Sequence, residues 1–146
     1  MMKFVFLIAL ALNLNAINIE DANSTCPITL TNALDSPKLL SVIENENGEI
    51  LLFSSPKAMF DYTYKPENSE APYKELYVTN YANGELIRAK DAVYLFGSRF
   101  LSVSGDDLIA FDSNQTAAKF MDELKGKTLL DFNRINSKLV EFLNER

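Results

Sequence analysis

Short apolar runs separated by turn residues occupy the middle of the chain. Two such runs, residues 39–43 and 49–53, lie on either side of Asn47-Gly48. An Asn-Gly pair favours a tight turn between two strands, because both residues tolerate positive φ angles. The pattern therefore predicts a β-hairpin.

A short helix and a third strand are predicted after this hairpin. Ser55 followed by Pro56 is typical of a helix start, with serine as the N-cap and proline at the first helical position. The helix is expected to end at Lys65, before Pro66. An exposed polar loop then leads to an apolar run at 76–79, so the predicted order is strand, strand, helix, strand.

The same order of elements recurs in the second half of the chain. Residues 92–96 and 100–103 resemble strands, and the pattern of 49–55 returns at 107–113, with an acid first, then aliphatic residues, phenylalanine and a closing serine. A helix is expected next, because apolar residues recur at helical spacing, namely Ala117, Phe120, Met121 and Leu124. Gly126 is its expected C-cap, and a strand is expected after it at 127–132.

These patterns predict an α+β fold made of two ββαβ repeat units packed together, plus a C-terminal helix. The first unit spans 26–84 and the second 85–135, and Asn136 caps the helix in 136–146. A unit of roughly 50 residues is too small to bury much apolar area alone. We therefore expect the two units to share one core or to pack closely on each other, and 17–25 to be a flexible tether.

The first sixteen residues have the layout of a secretory signal peptide. Lys3 precedes a nine-residue apolar run at 4–12, and Ala16 lies at the expected cleavage site. A membrane span needs roughly 20 apolar residues, so we expect cleavage of 1–16 rather than a membrane anchor. The mature protein would then work outside the cytoplasm and have no stable membrane span.

Composition excludes several classes of function. The chain has no histidine and one cysteine, so histidine-based catalysis, imidazole metal ligands and an internal disulfide are excluded. The net charge of −6 argues against nucleic-acid binding, which needs a basic surface. Glycine-rich phosphate loops and acid/base carboxylate pairs are not apparent. We therefore expect a protein that is not an enzyme.

Several short stretches of the chain, taken in order, cover roughly residues 42–135. These stretches are 51–60, 76–81, 87–92, 96–98, 107–111, 125–127 and 130–132. In this order and spacing the chain resembles the NosL family of nitrous-oxide reductase accessory proteins. The resemblance implies two ββαβ units, a periplasmic location and a copper(I)-binding role as a metallochaperone in denitrification. Nitrous-oxide reductase or its copper-maturation proteins are the implied partners.

The resemblance also implies copper ligands that this chain mostly lacks. The family typically opens with Cys-Pro-x-Cys-Gly-Met, and residues 26–31 have Thr29 and Thr31 in place of the second cysteine and the methionine. A second family stretch is Gly-Pro-Met-Gly-His-Glu. At the corresponding residues, 102–107, this chain has Ser104 in place of the methionine and Asp106 in place of the histidine. Copper(I) prefers thiolate, thioether and imidazole donors, which oxygen donors do not replace.

Cys26 is therefore the one candidate metal ligand. A monomeric copper(I) site needs a second soft donor, but Met59 and Met121 lie on apolar helix faces typical of a core. Asp106 and Asp107 indicate a solvated hairpin turn rather than a calcium loop, which requires more oxygen ligands.

Three hypotheses remain open at this point. The first is a copper accessory protein with a weakened or shared site, such as two Cys26 thiolates around one copper(I) in a dimer. The second is a metal-free exported protein-binding module that keeps the fold. The third is a structural or envelope protein with an unrelated ligand. A free thiol and an intermolecular disulfide also remain open for Cys26, whereas the polar residues before it argue against lipidation.

Overall fold

The computed structural model describes residues 17–146, so the predicted signal peptide lies outside the described residues. The strands are β1 (Ser41–Asn45), β2 (Ile50–Phe53), β3 (Tyr73–Thr79), β4 (Leu86–Arg88), β5 (Val93–Phe96), β6 (Ile109–Phe111) and β7 (Thr128–Asp131). The α-helices are α1 (Pro56–Tyr64), α2 (Asn114–Ala118), α3 (Met121–Leu124) and α4 (Ser137–Asn144).

The strands form two antiparallel sheets with matching connectivity. One sheet has the order β2-β1-β3-β4 and the other has the order β6-β5-β7. In each sheet the first strand of a ββαβ run lies between the second and the third. The α+β fold with two ββαβ units and a C-terminal helix is confirmed. β4 extends the first sheet by pairing with β3, Tyr77 opposite Arg88, although the sequence analysis assigned it to the second unit.

The two predicted N-caps are present, whereas the predicted Gly126 C-cap is wrong by one residue, because Lys125, with a φ of +54°, ends α3. The Ser55 hydroxyl accepts a hydrogen bond from the Ala58 N–H at 3.2 Å, and Pro56 is the first residue of α1. The Asn136 side chain accepts from the Leu139 N–H at 3.0 Å, at the start of α4. Each cap satisfies a backbone donor that has no partner within its helix.

Two predicted elements differ in the structure. Residues 100–103 form no strand, because β5 already has β6 and β7 on its two sides and only an isolated bridge joins Ser102 to Gly105. The predicted second helix is divided into α2 and α3. Between them the Phe120 N–H bonds to the Ala117 carbonyl, and this tighter turn brings the Phe120 ring to 5.6 Å from that of Tyr81.

The segment predicted as a tether lies against the folded part. Ile19 and Ala22 pack against the larger core cluster. The Ser24 carbonyl accepts a hydrogen bond of 2.8 Å from the Ala33 N–H. Residues 17–25 therefore contribute contacts to the fold, because their few apolar side chains reach the core.

The two units share their buried interior, as the size argument predicts. The larger core cluster contains Val42 and Phe60 from the first unit together with Tyr94 from the second. The smaller cluster combines Tyr81 with residues of the second unit such as Phe111. Each half of the chain therefore depends on the other to remove its apolar surface from water.

We expect Gly126→Ala to destabilise the protein by about 1–3 kcal/mol through overpacking. A Cβ at position 126 would lie 2.3 Å from Cδ1 of Leu95, which is fully buried. Urea unfolding of Gly126→Ala, Leu95→Ala and the double variant would measure the coupling between the two sites. Gly126→Ala should cost less in the Leu95→Ala background, and equal costs in both backgrounds would contradict this account.

Candidate metal centre

Cys26 lies in a loop that closes on itself. The Cys26 N–H donates to the Thr31 carbonyl at 2.8 Å, and the Leu30 N–H donates to the Cys26 carbonyl at 2.9 Å. Thr25 and Asn32 flank this loop as an isolated antiparallel bridge. These bonds fold the loop around the Cys26 side chain, which has no exposed surface.

The buried thiol is surrounded by hydrogen-bond donors. The Thr29 N–H lies 3.5 Å from Sγ of Cys26, and the Ser54 hydroxyl lies 3.7 Å from it. Burial raises the pKa of Cys26, but the hydrogen bonds from Thr29 and Ser54 outweigh that effect and leave the pKa below its ordinary value. A lowered pKa favours the thiolate, the form that binds metals.

Three hydroxyl groups converge beside this thiol. Oγ1 of Thr29 lies 2.8 Å from Oγ1 of Thr31 and 3.1 Å from Oγ of Ser54. Thr29 and Thr31 occupy the positions where the resemblance implies cysteine and methionine. The loop therefore brings those positions together with Cys26, but it presents oxygen atoms in place of sulfur.

The second stretch of implied ligands is bonded elsewhere. The Ser104 hydroxyl lies 3.2 Å from the Ser102 hydroxyl, and the Asp106 carboxylate forms an ion pair of 2.9 Å with Arg146. Across residues 17–146, no group of three or more His, Cys, Asp or Glu side chains is arranged to hold a metal ion. Cys26 as a metal ligand thus stays a prediction.

The two methionines of the described chain pack in the core, as predicted. Met59 on α1 is fully buried in the larger cluster. Met121 at the start of α3 is half-buried against the smaller cluster. Both side chains fill space between apolar neighbours, the usual role of methionine in a core.

The prediction of a solvated turn at Asp107 is wrong, because its carboxylate is buried between the two units. Oδ1 of Asp107 accepts from the Lys57 N–H at 2.9 Å and from the Leu108 N–H at 2.8 Å. Oδ2 has no hydrogen-bond partner. A residue of the second unit thus satisfies an N-terminal backbone donor of α1.

Lys57 is a further residue that the sequence analysis missed. Its side chain is buried, and its Nζ donates to the Ser104 carbonyl at 3.0 Å. A lysine in the first turn of a helix opposes the helix dipole. That unfavourable placement is the sequence signal that could have indicated a special role for Lys57.

The segment 54–57 therefore contacts both stretches of implied ligands. Ser54 reaches Cys26 in the first stretch, while Lys57 reaches Ser104 and Asp107 in the second. The two stretches meet around the start of α1, although their donors form no common cluster.

Comparison with known proteins identifies the family and the fold. The family model of NosL matches residues 15–140. The chain belongs to the NosL family. The crystal structure of the copper chaperone NosL from Shewanella denitrificans is similar, with a TM-score of 0.69 and 20% sequence identity, over 84% of this chain and 95% of that chain. This likeness shows the NosL fold. A search of curated proteins gave no match.

Family membership confirms the resemblance drawn from the sequence, and it supports a NosL-like accessory role. Over residues 17–146, none of the helices combines the length and the apolar character needed to cross a bilayer.

We expect Leu30→Gly to stabilise the protein by about 0.5–1 kcal/mol. Leu30 has a φ of +58°, which favours glycine, and its side chain is 77% exposed, so truncation removes little packing. The resemblance implies glycine at this position. Leu34, also exposed but without a positive φ, provides the control, because Leu34→Gly should destabilise. Thermal or urea unfolding measures both, and a loss of stability in Leu30→Gly would contradict the strain argument.

We expect Asp107→Asn to flatten the dependence of stability on pH. Burial raises the pKa of Asp107 above its ordinary value of 3.8, although hydrogen bonds from Lys57 and Leu108 oppose the shift. The folded state thus holds this proton more tightly than the unfolded chain. The stabilisation is complete below about pH 4 and is lost as the pH rises through the raised pKa.

The asparagine keeps an oxygen to accept both N–H groups and removes the buried charge. Urea midpoints of the wild type should therefore fall more steeply than those of Asp107→Asn as the pH rises above about 4. Asp106→Asn is the matched control, because Asp106 is only partly buried and pairs with Arg146. Parallel curves for the wild type and Asp107→Asn would show that burial of this carboxylate has no linked effect.

Proposed function

We propose that the protein is a periplasmic, non-enzymatic accessory protein that handles copper(I) during maturation of nitrous-oxide reductase. Membership of the NosL family supports the accessory role, and the layout of residues 1–16 supports export. In this proposal the sulfur atom of the Cys26 thiolate binds copper(I).

The observation that carries the proposal is the environment of the Cys26 thiol. A soft sulfur with a lowered pKa lies next to Thr29, inside a loop fixed by backbone hydrogen bonds. Thiolates bind copper(I) strongly, whereas hydroxyl groups are hard donors that do not compete for it. Thr29 and Ser54 thus orient the thiolate and stabilise its charge, and Cys26 alone would contact the metal.

One thiolate is too few for a stable copper(I) site, so a second soft donor has to come from another molecule. Two Cys26 thiolates in a dimer are one solution, but both buried thiols would have to become accessible. A donor from a copper-maturation partner requires only one loop to open. We therefore favour a shared site formed during transfer, in which Thr31, exposed at the end of the loop, moves first.

A metal-free binding module is the second candidate, and one observation favours it. The Thr29 hydroxyl already has partners in Thr31 and Ser54. This cluster is satisfied without a metal and would stabilise the loop as a purely structural unit. A titration with copper(I) separates the two candidates.

We expect the protein to compete weakly with a chromophoric chelator for copper(I), and Cys26→Ser to lose that competition. Restoring sulfur with Thr29→Cys and Thr31→Met should raise the affinity at least tenfold, because both positions converge on Cys26. Chelator absorbance during a copper(I) titration under reducing conditions measures copper(I) binding by the wild type and by each variant. Thr63→Met adds a methionine on α1, where the Thr63 hydroxyl bonds to the Met59 carbonyl, and should change nothing.

Each outcome of this titration decides between the candidates. Competition by the wild type that disappears in Cys26→Ser supports the copper proposal. Binding by the restored variant alone favours the metal-free module, because the loop geometry is then intact but lacks donors. Equal competition by the wild type and Cys26→Ser would exclude Cys26 as the ligand.

A further inference from the structure

A basic cavity of about 530 Å³ lies at the end of β5, and no residue of the Cys26 loop lines it. Arg99 follows β5, Lys125 and Lys127 lie between α3 and β7, and Arg146 lies beyond α4. All four side chains line the cavity together with Asp106. This concentration of positive charge contrasts with the chain as a whole, which has a net charge of −6.

Most of this positive charge is not neutralised locally. Asp106 pairs with Arg146 at 2.9 Å. The ion pairs formed within residues 17–146 do not include Arg99, Lys125 or Lys127. Three cationic groups therefore face one cavity without a carboxylate partner, and a bound anion would relieve their mutual repulsion.

The backbone holds these cations in place. The Arg99 N–H donates to the Leu124 carbonyl at 2.8 Å, and the Lys127 N–H donates to the Phe96 carbonyl at 3.0 Å. These two bonds fix the loop after β5 against the connection between α3 and β7. The cationic side chains thus extend from two segments whose relative position is set by hydrogen bonds.

Two local features add to this arrangement. Lys125 has a φ of +54°, a conformation that glycine adopts without strain and lysine does not. Gly97, with a φ of +77°, leaves room for the Lys127 stem, since a Cβ there would lie 2.8 Å from Cδ of Lys127. The Lys127 stem therefore packs closely on Gly97, and Lys125 extends from the left-handed residue that ends α3.

We propose that this cavity binds a compact anion carrying phosphate groups, of the size of a diphosphate. Arginine and lysine are the usual phosphate-binding side chains, and the fork of arginine matches phosphate oxygens. The volume falls within the range of small-molecule sites. A concave site of this size fits a small multivalent anion better than an acidic protein surface. The phosphate groups could belong to a free diphosphate or to a lipid headgroup.

Pyrophosphate titrated into the purified protein by isothermal calorimetry at low salt tests the proposal. We expect saturable binding that weakens as salt is added. Lys125→Gly should weaken binding about tenfold by removing one charge-assisted hydrogen bond. Because Lys125 has a positive φ close to that of Leu30, this variant should be at least as stable as the wild type, which separates loss of binding from loss of fold.

Lys119→Ala is the matched control, because Lys119 is exposed and does not line the cavity. It lowers the net charge equally and should leave pyrophosphate affinity unchanged. Co-sedimentation with phosphatidylglycerol vesicles identifies the source of the phosphate group. Binding to vesicles that Lys125→Gly reduces, with weak pyrophosphate binding, assigns a lipid headgroup, whereas tight pyrophosphate binding without vesicle binding assigns a free anion.

Three results would overturn the proposal. The first is the absence of binding to both pyrophosphate and vesicles at low salt. The second is an equal loss of affinity in Lys119→Ala and Lys125→Gly, which would show a general charge effect. The third is tighter binding of a polyglutamate peptide than of pyrophosphate, which would indicate a protein surface as the ligand.

Discussion

The carboxylate of Asp107 determines how the two halves of the protein meet. It accepts hydrogen bonds from Lys57 at the start of α1 and from Leu108 beside β6. One side chain of the second unit therefore fixes the first turn of a helix in the first unit. Burying an ionisable group without a hydrogen-bond partner for Oδ2 is unfavourable. The two hydrogen bonds accepted by Oδ1 offset part of that cost.

The position of the candidate metal centre follows from that contact. Ser54 and Ser55 immediately precede the first turn of α1. Ser55 caps the helix, and Ser54 is directed to the Cys26 thiol. The segment that Asp107 fixes is thus the same segment that supplies a hydrogen-bond donor to the sulfur. Thr29 and Thr31 have hydroxyl groups where the resemblance implies sulfur. This difference leaves the framework in place but makes it less suited to copper(I).

Local sequence signals predicted much of the fold. Asn47-Gly48, the Ser55 cap and the Asn136 cap each act within a few residues, so their effects could be derived without tertiary information. Residues 100–103 were misassigned because strand propensity does not reveal which strands already have partners. The site was predictable only in part. Cys26 stands out by composition, whereas the burial of Asp107 and Lys57 depends on residues far away in sequence.

The separation of Lys57 and Asp107 along the chain affects how the protein folds. Until the second unit is in place, the first turn of α1 lacks its acceptor, and residues such as Tyr94 are missing from the larger core cluster. Neither half can then be stable as an independent module, despite the internal repeat. The molecule should behave as a single cooperative unit, in which a defect in either repeat is felt throughout.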